Sequence, residues 1–323
     1  MKAIIQDQYG SADTLVFRDI ADPVVGPEDV LVRVRAAGCG PDVWHLMTGL
    51  PYLVRIMPGF SKVHGRVSGR DVAGMVESVG GSVTSFHPGD EVMGIGQGSF
   101  AELLVAQTDK LVTKPERISF EQAAAAPISG LTALQAIRDV AKVRPGQTVL
   151  VIGAGGGVGT LTVQVANAFG AVVTGVCSSS KVDLVRSIGA SDVIDYAQQR
   201  FMDGSRHWDV IVDTAGRRPL AALRRALASE GTLVIVGGEG GDRWTGGFGR
   251  QTVQAPLLSL FSGQRLRPVI SKEKREDLEA LRSLIDSGKV TPVVGKTFPL
   301  SDAQAAIREL EAGHASGKIV ITV

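Results

Sequence analysis

The chain has 323 residues, 44% of them hydrophobic, with 34 basic against 33 acidic side chains and a formal net charge of +1. That balance, with Lys and Arg scattered rather than interleaved with aromatics, argues against a nucleic-acid partner or an anionic membrane surface. Cys39 and Cys177 alone cannot build a disulfide framework, and no apolar run reaches the ~18 residues of a membrane span, so a reduced, soluble, cytoplasmic protein of about two domains is expected.

In chain order, residues 1 to 118 read as short strands between Gly and Pro punctuation. Lys2–Gln6 and Leu15–Ile20 suit a first pair of strands, and Val30–Ala36 (VLVRVRA) alternates apolar with polar, the mark of a half-buried strand. Val72–Val79 and Glu91–Ile95 are split by the turn His87-Pro88-Gly89-Asp90; Phe100–Ala106 and Leu111–Lys114 follow. This spacing predicts a compact, barrel-like β domain. Helical periodicity begins after Ser119, a suitable N-cap, with Phe120–Pro127 and Gly130–Val140.

The stretch Val149–Gly159 (VLVIGAGGGVG) organises what comes next. An apolar run of the kind that forms a buried parallel strand ends in glycines, and a helical pattern continues through Leu161–Phe169. Ala154, Gly156 and Gly159 have the spacing of a dinucleotide fingerprint, with Gly157 and Val158 inside it, and the glycines lead into a helix whose N–H groups would face a pyrophosphate. Strand Ala171–Cys177, helix Lys181–Ile188, strands Val193–Ile194 and Val210–Asp213, helix Leu220–Ala228 and strand Thr232–Gly237 alternate as a doubly wound sheet requires. A Gly- and Arg-rich loop around Trp244 precedes a last strand at Arg267–Ile270 and a charged helix over Arg275–Asp286. The tail from Val290, with a helix at Ala303–Glu311 and a strand at Lys318–Val323, is expected to rejoin the β domain. The predicted domains are therefore 1–118 with 290–323, and 119–289 between them.

An NAD site of this kind places a carboxylate at the end of the second strand, on the ribose 2′-hydroxyl. Here that strand continues as Ser178-Ser179-Ser180-Lys181, with no carboxylate before Asp183. Hydroxyls and an ammonium suit a 2′-phosphate, so NADPH is the expected cofactor, with Ser178 and Lys181 holding it. Lys181 has a plainer reading as a solvated lysine at a helix start.

The motifs AAGCGPDVW (Ala36–Trp44), GRDVAGMVESVG (Gly69–Gly80), HPGDEVMG (His87–Gly94), SGLTALQA (Ser129–Ala136), AGGGVG (Ala154–Gly159) and SGKIVITV (Ser316–Val323) occur in one order along the chain. In that order they resemble the medium-chain dehydrogenase/reductase superfamily, in its zinc-free, quinone oxidoreductase-like branch. The resemblance implies an α/β fold: a GroES-like β-barrel catalytic domain and a doubly wound Rossmann domain inserted before the C-terminal tail, with nicotinamide in a cleft between them. It also implies Tyr196 at the 2′-phosphate, Thr132 near the nicotinamide-side phosphate, Thr214, Val236, Gly237 and Gly238 along the nicotinamide half, and Lys318 in the same cleft. Homodimers are common among similar proteins, so a homodimer is expected by analogy.

Zinc-binding relatives place a cysteine where Cys39 stands and Gly-His-Glu where this chain has Gly69-Arg70-Asp71. A guanidinium cannot ligate a cation, and the third-ligand region, Ala123–Leu131, has no Cys, His or Asp, so no metal is expected. Cys39 with His45 or His64 would be an improvised site at best; a small buried thiol is the simpler reading. Without a metal the chemistry reduces to positioning a hydride donor and stabilising the charge that develops on an acceptor, which suits a quinone or α,β-unsaturated carbonyl. Tyr52, Asp42 and His45 are the candidate catalytic side chains, with Trp44 beside them; Asp42 also suits a helix cap and His45 a packed histidine. The alternatives are a zinc-free alcohol or ketone reductase, and a non-catalytic NADPH-binding sensor. Similar proteins often have an Asn-Pro pair where this chain has Gly40-Pro41, so the acceptor pocket should differ from theirs.

Overall fold

The computed structural model of the chain describes residues 1–52, 55, 63, 66–237, 254–259 and 263–323. It divides into two compact units, Met1–Leu131 with Glu273–Val323, and Thr132–Lys272.

The first unit is mostly β. Strands β1 (Lys2–Gln6) and β2 (Leu15–Asp19) pair antiparallel, with the two-residue β4 (Arg66–Val67) on the other side of β1. The larger sheet is built on β3 (Asp29–Cys39), flanked by β5 (Asp71–Val79) and by β16 (Lys318–Thr322). Beyond β5 lie β6 (Glu91–Ile95) and β8 (Leu111–Thr113); β15 (Val294–Pro299) covers β16, and β7 (Leu103–Gln107) pairs with the start of β3. Val30, Val32 and Val34 point into the core as the alternation predicts, but Ala36–Cys39 is buried on both faces. There glycine is required. A Cβ on Gly38 would lie 2.6 Å from the Ala124 carbonyl oxygen and 2.8 Å from the Asp71 carboxylate.

Helix α1 (Pro41–Thr48) is an element the periodicity did not predict, although its ends are written in the chain. Proline occupies its first turn and Gly49 closes it in the left-handed region at φ 63°. Helix α2 (Phe120–Ala124) carries the predicted Ser119 cap, reciprocated by Gln122 in a capping box. Helix α3 (Pro127–Gln135) continues into a π-helical turn over Ala136–Ala141, ended by Lys142 at φ 53°.

The second unit is a six-stranded parallel sheet in the order β11-β10-β9-β12-β13-β14. These strands are β9 (Thr148–Ile152), β10 (Val172–Cys177), β11 (Asp192–Asp195), β12 (Trp208–Asp213), β13 (Leu227–Ile235) and β14 (Arg265–Pro268). The first strand lies inside the sheet and the order runs outward in both directions, the doubly wound arrangement, with helices α4 (Gly157–Ala168), α5 (Val182–Ser187) and α6 (Leu220–Arg225) between strands. The fold class read from the sequence, a GroES-like β unit plus a Rossmann sheet, is the one observed. Several element boundaries differ, the last strand being Arg265–Pro268 rather than Arg267–Ile270 among them. Helix α4 begins at Gly157 rather than Leu161, because the strand–turn–helix geometry overrides the poor propensity of glycine. Helix α6 stops at Arg225 and β13 starts at Leu227, where Leu227 pairs with Trp208 across a register shift.

Candidate functional site

In the second unit, β9 is hydrogen-bonded on both sides and its residues from Val149 onward are buried, which fixes the loop at its carboxyl end. Gly153 turns the chain at φ 81°, and the N–H groups of Gly153 and Ala154 both donate to the Val176 carbonyl, each at 3.0 Å. The Thr214 hydroxyl donates to the Ile152 carbonyl at 2.8 Å and leaves no room for a side chain at Gly153. A Cβ on Gly159 would stand 2.0 Å from the Gly153 carbonyl oxygen, so helix and strand pack at glycine distance. On Gly156, by contrast, a Cβ would touch only that oxygen, at 3.5 Å. Gly156 gives α4 no side-chain cap, and the first N–H groups of a helix have no acceptor within it. The result is a helix start at Gly156, Gly157 and Val158, all half-buried, that could cradle an anion, with Ala154 fully buried beneath.

The corner beyond β10 supplies donors. Ser178 and Ser180 hydroxyls lie 3.3 Å apart, and Lys181 ends a short 3-10 turn. The lysine stem folds back over the cradle, its Cδ only 2.6 Å from where a Gly155 Cβ would be. Burial lowers the Lys181 ammonium below the ordinary lysine range. Tyr196 is exposed just past β11, its N–H donating to the Cys177 carbonyl at 3.2 Å. At the end of β12, the N–H groups of Val236 and Gly237 donate to the Asp213 carbonyl at 3.0 and 3.2 Å, and a Gly237 Cβ would lie 2.3 Å from the Thr214 carbonyl. The structure thus gathers Ala154, Gly156, Gly157, Val158, Thr214, Val236 and Gly237 at the carboxyl ends of β9, β12 and β13, and Ser178, Lys181 and Tyr196 at those of β10 and β11. Thr132 lies half-buried in α3, and Gly238, Trp244 and His64 fall outside the described residues.

Two carboxylates at these strand ends escaped the sequence reading. Asp213 accepts the Ala215 and Gly216 N–H groups on Oδ1 (3.1 and 3.0 Å), and burial pushes its carboxyl up. Asp195 accepts the Ser179 hydroxyl at 2.5 Å, the Gln198 amide at 2.9 Å and the Ala197 N–H at 3.0 Å. The Ser179 bond, ahead of the others, holds the Asp195 carboxyl below its usual range.

In the first unit a buried polar cluster surrounds the end of β3. The Lys318 ammonium, 4% exposed, donates to Asp71 at 2.8 Å and to the Ser129 hydroxyl at 3.2 Å. Asp71 also accepts the Ile128 N–H at 2.8 Å. Gly40 lies beneath: a Cβ there would be 2.7 Å from Asp42 Oδ1 and 2.8 Å from Lys318 Nζ. Asp42 Oδ2 is buried without a hydrogen-bond partner among the described residues. Burial works to lower the Lys318 ammonium, but Asp71 and Asp42 outweigh it and hold it above the ordinary lysine range. Burial likewise pushes the Asp71 carboxyl up against the pull of Lys318. Cys39 is enclosed by the same groups, and burial pushes its thiol up to about 12. Lys318 therefore belongs to a buried ion pair, and Asp71 and Ser129 are the partners that sequence reasoning missed. The available signal was a charged residue opening each of two apolar strands, DVAGMV and KIVIT.

His45 and Tyr52 are engaged locally. His45 Nδ1 is 2.6 Å from the Leu50 carbonyl, its ring edge-on to Trp44, and the Trp44 indole donates to Glu311 at 2.9 Å. The Arg55 guanidinium lies between two rings, 4.4 Å from Tyr9 and 4.7 Å from Tyr52, while donating to the Gly49 and Thr48 carbonyls at 3.0 and 3.3 Å. Tyr52 is thereby tied to the end of α1 through Arg55.

Comparison with known proteins places this architecture. The alcohol dehydrogenase GroES-like domain family matches residues 26–116, and the zinc-binding dehydrogenase family matches residues 188–321. The bovine NAD(P)H oxidoreductase RTN4IP1, described as mitochondrial, is 34% identical over 100% of this chain and 89% of its own length. A chloroplast envelope quinone oxidoreductase homolog of Arabidopsis thaliana is 31% identical over 99% of this chain and 98% of its own. The quinone oxidoreductase of Coxiella burnetii superposes with a TM-score of 0.85 at 29% identity, covering 100% of this chain and 99% of that one. The chain belongs to the quinone oxidoreductase-like branch of the medium-chain dehydrogenase/reductases. A further family structure, a mycobacterial protein solved with NADPH, superposes with a TM-score of 0.83 at 26% identity over the full length of both chains.

Within this medium-chain dehydrogenase/reductase, the Arg70-Asp71 step at the start of β5 is held by two ion pairs. Arg70 is paired with Glu273, and Asp71 is paired with Lys318. Among the described residues no three His, Cys, Asp or Glu side chains are grouped for a metal, and no helix is long and apolar enough to cross a membrane.

Proposed function

We propose that the protein is an NADPH-dependent, zinc-independent oxidoreductase acting on quinones or α,β-unsaturated carbonyls. The observation that carries the cofactor reading is the cradle at Gly156–Val158 with Lys181 folded over Gly155: an uncapped helix start beside a cation and two serine hydroxyls. In this reading Gly156, Gly157 and Val158 take the pyrophosphate. Ser178, Lys181 and Tyr196 take the 2′-phosphate, and Thr132, Thr214, Val236, Gly237 and Gly238 bound the nicotinamide half. Relatives described as NAD(P)H and quinone oxidoreductases, and a family structure solved with NADPH, support it.

Bound NADPH supplies the hydride. The chain's own part is to bind and orient the acceptor and to stabilise charge that moves onto its carbonyl oxygen. Tyr52 is the proposed hydrogen-bond donor to that oxygen, held in place by the Arg55 stack, and Asp42 and His45 are the other polar groups of the same segment. Lys318 acts from below, through Asp42 and Gly40, rather than as an exposed contact. The zinc-independent reading rests on donor chemistry: a guanidinium at position 70, an ammonium among the carboxylates, and a Cys39 thiol held protonated. The test is oxidation of NADPH by purified protein, in the presence of a chelator, with 1,4-naphthoquinone, an enone and a saturated ketone in parallel. Turnover with the first two and not the third is expected. Turnover only with the ketone, or dependence on added zinc, refutes the reading.

A further inference from the structure

The end of β11 brings a carboxylate to the corner where the sequence shows none. Asp195 is in register with Cys177, directly beside the strand that leads into Ser178–Lys181. A free carboxylate there would offer an acceptor to a ribose 2′-hydroxyl and would repel a 2′-phosphate. Asp195 is not free. Its Oδ2 takes the Ser179 hydroxyl and the Gln198 amide, its Oδ1 takes the Ala197 N–H, and the residue is 7% exposed.

The same bonds shape the turn. With its hydroxyl committed to Asp195, Ser179 anchors the short 3-10 turn to β11. Ser178 and Ser180 are left with their hydroxyls against one another, and Lys181 reaches back across Gly155. Ser179, with the Gln198 amide and the Ala197 N–H, thus occupies the Asp195 carboxylate, while its neighbours present donors.

We propose that Ser179 and Asp195 form a specificity switch for the coenzyme: Ser179 is a positioning residue that masks the Asp195 carboxylate, and the masking is what lets this corner accept a phosphate monoester in preference to a bare ribose hydroxyl. The inference rests on the NADPH reading above and names the residues that set its selectivity. It requires that unmasking the carboxylate shift preference toward NADH, and that neutralising the unmasked carboxylate shift it back.

The experiment is isothermal titration calorimetry of NADPH and NADH, without acceptor, into the full chain and three variants: Ser179→Ala, Asp195→Asn and the double variant. S179A removes one of the two donors to Asp195 Oδ2, leaving the Gln198 amide on it, and is expected to weaken NADPH by about tenfold while leaving NADH unchanged or tighter. D195N removes the charge but keeps an acceptor and a donor for Ser179, so the NADPH preference is retained. In the double variant no charge remains to be masked, and the preference is expected to return to within about threefold of the starting value. A simple loss of local structure would lower binding of both coenzymes and would not be rescued by the second substitution, so that outcome overturns the proposal. If the unmodified protein prefers NADPH and S179A keeps that preference, the switch is wrong and the cofactor reading stands. Equal affinity of the unmodified protein for the two coenzymes overturns both.

Discussion

Replacing Lys318 with methionine isolates the energetics of the buried cluster. The substitution keeps most of the apolar stem and deletes the ammonium, so Asp71, itself fully buried, retains among the described residues only the Ile128 N–H and still feels the charge of Asp42. Breaking a buried ion pair from one side costs about 3–5 kcal/mol, because the remaining charge is uncompensated; the lost bond to Ser129 is included in that figure. That is a large share of the ~5–15 kcal/mol that holds a typical domain together. Removing both charges, as D71N/K318M, should recover more than half of the loss, since an absent pair costs far less than a broken one. The assay is urea unfolding followed by tryptophan fluorescence, with Trp44 reporting on the first unit. The sign with pH also follows. The Lys318 value is raised, so its contribution is complete below the unfolded-lysine value of about 10.4 and is lost only as pH rises through the folded one. The difference between parent and variant should therefore shrink in strong alkali, and also on acidification, where Asp71, raised by burial and no longer pulled down by Lys318, takes up a proton in the variant. A loss below about 1 kcal/mol for K318M, or a double variant as unstable as the sum of the two singles, refutes the reasoning.

Gly159→Ala should abolish coenzyme binding by calorimetry and destabilise the second unit by about 1–3 kcal/mol, because the new Cβ meets the Gly153 carbonyl at 2.0 Å. Lys181→Ala should weaken NADPH by about tenfold and NADH far less; equal losses for both would remove the lysine from the phosphate site. Tyr52→Phe keeps the stack on Arg55 and removes the hydroxyl, so kcat with naphthoquinone should fall by about 10²-fold with KM little changed, and an unchanged kcat rejects Tyr52 as donor. Burial raises Cys39 to about 12 and Cys177 to about 11, so neither thiol should react with an aromatic disulfide reagent at mildly alkaline pH until urea is added.

What the sequence made legible was what local pattern controls. The fingerprint, the alternation of strands and helices after it, and the short strands before it all correspond to observed elements, several of them residue for residue, such as Lys2–Gln6, Glu91–Ile95 and Arg275–Asp286. Helix α1 went unread because a Gly-Pro start looks like a turn until the left-handed Gly49 at its other end is considered with it. The Asp71–Lys318 pair could not be read from spacing, since its partners are 247 residues apart and meet only because β5 and β16 flank the same strand. Asp195 stood in plain view in VIDY, but its importance depends on parallel register with Cys177, which no local pattern reveals. The departure at Gly40 gains a physical account. The place of a side chain is filled by the approach of Asp42 and Lys318.

The threading of the first unit has a bearing on how the protein is made. Its central strand, β3, leaves the ribosome early, yet β16, which closes one edge of β3 and delivers the counter-ion for Asp71, is translated only after the whole Rossmann unit. During that interval the nascent β3 has an open flank and an unneutralised acid beside it, a state that invites mispairing. The Rossmann unit, contiguous from Thr132 to Lys272, is free to fold before β16 is made.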